Sequence, residues 1–227
     1  DKTAYRLVGS NAQRISDVSF ANALEGYTTS DAIGFCYTIQ NQNFYQVSFP
    51  TDGKTWCYHE TTGKWFEMTT ASGRHLANDY AYIYGKHLVS DYRTGSIMEL
   101  SLDAFDDAGE AIIRVRDSGL IDSSYMGAQF AGRELEMNWL RLVMPSGVGL
   151  STGQGSDPVV MLRFSDDRGK TWSSEMQGRM GESGDFQREI VFDQLGSFYN
   201  RMIRVSCSDP VFFGLYAAQA DVEPCIA

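Results

Sequence analysis

The sequence contains no apolar run long enough to cross a membrane and no signal-peptide pattern, so no membrane-spanning helix and no membrane partner is expected. Its four cysteines, Cys36, Cys57, Cys207 and Cys225, include no Cys-x-x-Cys pair, and the three histidines (His59, His75, His87) do not share metal-ligand spacing with them. No metal site and no cofactor is therefore expected. The first three cysteines sit inside apolar strand patterns and are read as reduced core residues. Basic residues are scarce beside acidic ones, 19 against 29, for a net charge of −10. A protein that grips DNA normally carries a basic face, so sequence-specific or broad DNA binding is not expected. Convincing helical periodicity over three turns is also missing, which excludes a helical bundle.

Present instead are 13% aromatic residues and 22 glycines in 227, a mixture suited to sheets joined by tight turns. From Phe44 to Phe49, Tyr45, Val47 and Phe49 fall on one face and Gln46 and Ser48 on the other, the alternation of a half-buried strand. Turns at Thr51-Asp52-Gly53 and Thr62-Gly63 lead to Trp56 and Tyr58 and then to Trp65 and Phe66. With a strand around Phe35 and Tyr37, residues 30–70 read as a four-stranded antiparallel meander. Residues 78–116 repeat the pattern, from Tyr80, Tyr82 and Tyr84 through Gly85 and Gly95 to Ile112–Arg116. Repeated four-stranded units near 40 residues long are the signature of propeller blades. The expected fold is all-β: a propeller-like array of antiparallel four-stranded meanders, in one domain over 1–227.

Residues 117–133 read as a long connection with a short helix, and 134–218 as further strands, with a bulge near Trp139 and Leu140 where the apolar face shifts. These strands are placed at Leu135–Met144, Val159–Phe164, Glu189–Phe192, Met202–Cys207 and Val211–Tyr216. Tyr5–Gly9 and Ile15–Phe20 are expected to supply strands that complete a blade begun at the C-terminus. The chain begins at Asp1 without Met, as expected of a processed piece or part of a longer protein.

The sharpest local signal is Ser165-Asp166-Asp167-Arg168-Gly169-Lys170-Thr171-Trp172, which fits the Asp-box pattern Ser-x-Asp-x-Gly-x-Thr-Trp. Asp167 is suited to accept backbone N–H groups across a turn, Gly169 to take positive φ, and Trp172 to anchor the hairpin in apolar packing. Asp-boxes resemble those of sialidases and other propellers, where they are folding elements away from the catalytic centre. A second signal is the loop from Pro145 to Pro158, with Gly147, Gly149, Gly153, Gln154, Gly155, Ser156 and Asp157. It lacks the Lys-Ser/Thr ending of a phosphate-binding loop and reads as a surface loop for assembly contacts. Asp103, Asp106, Asp107 and Glu110 lack EF-hand spacing and read as a solvated turn.

Several stretches in order resemble a known family. They are Tyr45-Gln46-Val47-Ser48-Phe49-Pro50 with Gly53-Lys54-Thr55-Trp56, Gly85-Lys86-His87-Leu88-Val89 with Asp91-Tyr92-Arg93-Thr94-Gly95, Gly153-Gln154-Gly155-Ser156-Asp157-Pro158, the Asp-box, and Ser208-Asp209-Pro210-Val211. Together they are similar to the packaged-DNA stabilisation proteins of short-tailed phages, which are tail-hub or nozzle components. The resemblance implies a virion protein, assembled in the host bacterial cytoplasm and without catalytic residues. It also implies a homo-oligomeric ring that closes the portal channel and meets the portal adaptor and the tail needle or fibres. The chain is shorter than that family's usual length, and its first meander is more aromatic. An alternative expectation from the Asp-box is a carbohydrate-active, sialidase-like or glycan-binding propeller, although such enzymes carry several Asp-boxes and this chain has one full copy.

Overall fold

A computed structural model describes residues 2–71 and 73–225. The chain folds as two compact units, 1–110 and 111–227, where the sequence reading treated it as one propeller-like domain.

The first unit opens with a ribbon in which β1 (Tyr5–Val8) pairs antiparallel with β2 (Asn11–Arg14). These strands pair with each other and do not complete a C-terminal blade. The next segment, expected to be a strand, is instead the helix α1 (Val18–Glu25). Asp17 caps it by accepting a hydrogen bond from the Phe20 amide at 2.8 Å, and Phe20 and Leu24, four residues apart, form its buried face. Two turns are too short to show a period in sequence, but the cap and one apolar pair suffice once a sheet receives them.

That sheet is a meander in the order β3 (Ile33–Ile39), β4 (Gln42–Phe49), β5 (Lys54–His59) and β6 (Lys64–Glu67). Alternation puts Tyr45, Val47 and Phe49 toward α1, with Trp56, Tyr58 and Trp65 from neighbouring strands. Phe20 stacks on Trp65 with ring centroids 3.7 Å apart. The opposite face was expected to be polar and open. In the structure Gln46, Ser48, Thr55 and Cys57 are fully buried there. Ser48 and Thr55 satisfy each other across the strands at 2.8 Å, and Gln46 Nε2 meets His75 Nδ1 at 3.3 Å. A short ribbon of β7 (Thr69–Thr70) and β8 (Gly73–Arg74) follows. Then comes a three-stranded sheet of β9 (Ala77–Ile83), β10 (Lys86–Asp91) and β11 (Ile97–Glu99), in which β10 is central. The second blade expected over 78–116 does not form: it has three strands, and its fourth segment pairs elsewhere.

β12 (Asp106–Asp107) and β13 (Glu110–Ala111) form a short ribbon. The second unit has two sheets. One holds β14 (Arg114–Asp117) and β15 (Ile121–Asp122), both paired to β20 (Asn200–Cys207), then β17 (Val159–Ser165) and β18 (Met176–Arg179). The other has β16 (Leu135–Val143) between β19 (Ile190–Phe198) and β21 (Ala217–Pro224). The segment 117–133 carries two short 3-10 turns, Ser123–Met126 and Ala128–Phe130. Residues 211–216, expected as a strand, are irregular, and the last strand starts at Ala217.

Inner-face residues alternate along these strands: Leu135, Met137, Leu140 and Leu142 on β16, Val160 and Leu162 on β17, Ile203, Val205 and Cys207 on β20. They join Ile190, Phe192 and Phe198 in one apolar core between the sheets. The register shift between Met137 and Trp139, against both partners, is the bulge that moves the buried set from odd to even positions. The result is a β-sandwich. Among the described residues no sheet closes on itself, and the propeller-like array is corrected to separate antiparallel sheets.

Candidate functional site

The Asp-box connects β17 to β18 in the second unit. Asp167 organises the turn: its Oδ1 accepts the Ser165 hydroxyl at 2.8 Å and the amides of Lys170 and Thr171 at 2.9 and 2.8 Å, while Oδ2 accepts the Thr171 hydroxyl at 2.6 Å. These bonds, led by the Thr171 hydroxyl, hold the Asp167 carboxyl well below the usual carboxylate range. Gly169 takes φ +85°, and its amide donates to Ser165 Oγ at 2.8 Å. Trp172 is half-buried, and the Arg204 guanidinium lies 4.0 Å from its ring centroid.

Two arginines of β20 bind this turn to the sandwich, which the sequence reading missed. Arg201 has a side chain only 2% exposed and grips Asp166 in two bonds of 2.7 and 2.8 Å. It also donates to the Leu195 carbonyl at 2.7 Å and lies 4.2 Å from both the Phe164 and Phe198 ring centroids. Arg204 makes a matching two-bond pair with Asp117, each 2.7 Å. Nothing distinguishes these two in sequence among fourteen arginines. Asp166, Arg201, Asp117 and Arg204 are thus each paired within the fold.

The glycine loop is built by close packing. A Cβ on Gly149 would lie 2.4 Å from the Ser156 carbonyl oxygen, and one on Gly147 would lie 2.8 Å from the Phe186 ring. The Gly147 amide donates to the Met180 carbonyl, Leu150 to Gly155, and Ser156 to Gly153. Gly155 is buried, and Asp157 pairs with Arg179 at 2.8 Å. Leu150, Ser151, Thr152, Gly153 and Gln154 form an exposed tip. Gly149-Leu150-Ser151-Thr152-Gly153 has the spacing of a nucleophile elbow, but neither a strand before it nor a helix after it supplies the elbow's geometry.

Among the described residues no three His, Cys, Asp or Glu side chains are grouped to hold a metal ion. Asp106 accepts the Gly109 amide at 2.8 Å, as a turn residue does. All four cysteines are free; Cys57 and Cys207 are buried, whereas Cys36, expected in a core, is exposed.

The first unit has a cavity of about 660 Å³ where the β1–β2 ribbon meets the open end of the meander, lined by Ile15, Cys36, Tyr45 and Tyr58. Ala4, Tyr5, Tyr37 and Phe44 also line it, and a polar edge adjoins them. Thr38 donates to Asn43 at 2.7 Å, Asn43 to Glu60 at 2.8 Å, and Arg6 to Glu60 at 2.7 Å and to Gln13 at 3.0 Å.

Two facing antiparallel sheets around one core define the second unit as a β-sandwich. Residues 127–223, within that unit, match the family model described as Bacteriophage P22 Gp10, beta-sandwich. No curated protein matches the chain. The match supports a structural protein of the phage tail.

Proposed function

We propose that the protein is a tail-hub component of a short-tailed phage, which closes the portal channel after packaging and retains the DNA until ejection. The match of residues 127–223 to the phage sandwich family carries this reading. The sandwich acts by shape, as a rigid unit in a homo-oligomeric ring beneath the portal adaptor, where the tail needle or fibres attach. The exposed tip, residues 150–154, is the segment proposed to meet a neighbouring subunit, because the glycines beneath it fix its path. The net charge of −10 agrees with a conduit that lets the duplex slide.

The test is a phage lacking this gene product. Heads that package DNA and then lose it, regaining it when the protein is supplied, are the expected result. Stable DNA-filled heads without the protein overturn the reading, and submicromolar affinity for duplex DNA at low salt overturns the sliding conduit. Light scattering and electron microscopy of the purified protein read the ring directly.

A further inference from the structure

The cavity in the first unit lies outside the residues matched to the phage family, and the tail-hub reading makes no use of it. Its two sides differ in chemistry. Tyr45 and Tyr58, cross-strand partners on β4 and β5, give an aromatic wall, continued by Ile15 and Ala4. Gly34 contributes to the shape, since a Cβ there would lie 2.7 Å from the Tyr45 hydroxyl. The rim is a chain of hydrogen bonds through Thr38, Asn43, Glu60 and Arg6, with Arg6 also donating to Gln13 outside the lining. Its one carboxylate and its one guanidinium are paired, so the charges of the lining cancel. A guanidinium has five N–H donors and a carboxylate about four lone-pair sites, so the paired groups still present both donors and acceptors at the mouth.

Asn43, Thr38 and Glu60 lie two residues along the strands from Tyr45, Cys36 and Tyr58 and on the same face. An aromatic wall beside a neutral, pre-ordered set of donors and acceptors suits a ligand with an apolar face and a hydroxyl-bearing edge. A pyranose ring has that form: C–H groups on its face to lie on a tyrosine, vicinal hydroxyls on its edge for an amide, carboxylate and guanidinium. Nucleic acid is disfavoured by the cancelled charge, because a backbone phosphate needs unpaired cations. We propose that this cavity is a binding site for a neutral saccharide chain. It is distinct from the Asp-box, which lies in the other unit. As part of a tail component, it would hold the particle to a sugar-coated surface without hydrolysing it.

Cys36 gives the test a reporter inside the cavity, as an exposed thiol beside Tyr45. The intact chain is titrated with neutral oligosaccharides of glucose, galactose, mannose, rhamnose and N-acetylglucosamine. Binding is followed by calorimetry and by the rate at which a thiol reagent modifies Cys36. At least one sugar is expected to bind and to slow Cys36 modification. Asn43→Ala and Arg6→Ala, on the exposed rim, are expected to weaken that sugar about ten-fold each with unchanged circular dichroism. Arg179→Ala, in the second unit, is the control and leaves affinity unchanged. Three results overturn the proposal: no sugar of the panel binds, binding survives both rim variants, or Cys36 is unreactive in the free protein because a second copy covers the cavity, as light scattering would reveal.

Discussion

The two units solve the same problem, filling the space beside an antiparallel sheet, with different materials. The second encloses one apolar core between two sheets, and its most deeply buried charge, Arg201, is fully engaged by Asp166 and a carbonyl. The first fills one side of its meander with aromatic rings, and on the other it buries the polar side chains of Gln46, Ser48, Thr55, Arg74 and His75 beside Tyr37 and Cys57. Some of that polarity is unmatched, since Gln46 Oε1 and Arg74 Nη1 have no hydrogen-bond partner. A buried polar atom without a partner costs free energy that an apolar core does not. The second unit should therefore owe its stability to a few strong, specific bonds, and the first should respond to pH and be easier to improve.

The largest expected effect is at Arg201. Arg201→Ala removes the partner of Asp166 and leaves the Leu195 carbonyl without its donor, so urea denaturation should show a loss of about 3–5 kcal/mol. A loss below 1 kcal/mol would mean that the second unit does not depend on its buried ion pair.

Next is His75 in the first unit. Burial lowers its pKa from 6.5 to about 4, which keeps it neutral in the fold. Its Nδ1 meets the Ala77 amide at 3.2 Å as well as Gln46. The unfolded chain takes up the proton first as pH falls, so this contribution is complete above pH 6.5 and is lost progressively down to about pH 4. The loss is about 3 kcal/mol. His75→Gln should flatten stability across that window, and an unchanged pH profile would show that His75 is not the group responsible.

A smaller effect is expected at Asp167. Its depressed carboxyl contributes stability above the unfolded value near 3.8 and loses it as pH falls below that. Asp167→Asn should therefore lower the urea midpoint at pH 7 and shrink the difference between pH 5 and pH 2, by less than Arg201→Ala. The smallest effect is a gain. Tyr84 and Gly85 form a two-residue hairpin corner with φ of +56° and +76°, and Tyr84 is 95% exposed. Asparagine suits that corner better than tyrosine, so Tyr84→Asn should stabilise the first unit by about 0.5–1 kcal/mol in thermal unfolding. A destabilised variant would show that the Tyr84 ring contributes more than its exposure implies.

The same contrast explains what was legible in the sequence. The meander of β3 to β6 could be read because its strands alternate and the turns before β5 and β6 carry Gly53 and Gly63, although the Gln40-Asn41 corner before β4 carries no such mark. The bulge in β16 could be read because one shift in the apolar pattern marks it. The propeller was a misreading of local spacing. Arg114–Asp117 follows the second meander in the chain but pairs with β20, some ninety residues away (Arg114 with Cys207), and no local pattern records such a pairing. The α1 helix was hidden because its signal is one cap and one apolar pair. Within the Asp-box, Asp167 and Gly169 were legible as a turn. Arg201 was not, because alternation alone cannot show that an arginine on a strand lies between two rings. The saccharide cavity was equally hidden, since Arg6, Asn43 and Glu60 lie far apart in the chain.

Arg201 also couples motions. A guanidinium held between the Phe164 and Phe198 rings, bonded to Asp166 on one side and to the Leu195 carbonyl on the other, cannot release one loop while keeping the other. The corner after β17 and the stretch of β19 around Leu195 therefore open together, as a single latch with a single rate. In amide exchange, protons in the two segments should share one opening free energy, although some thirty residues of chain separate them.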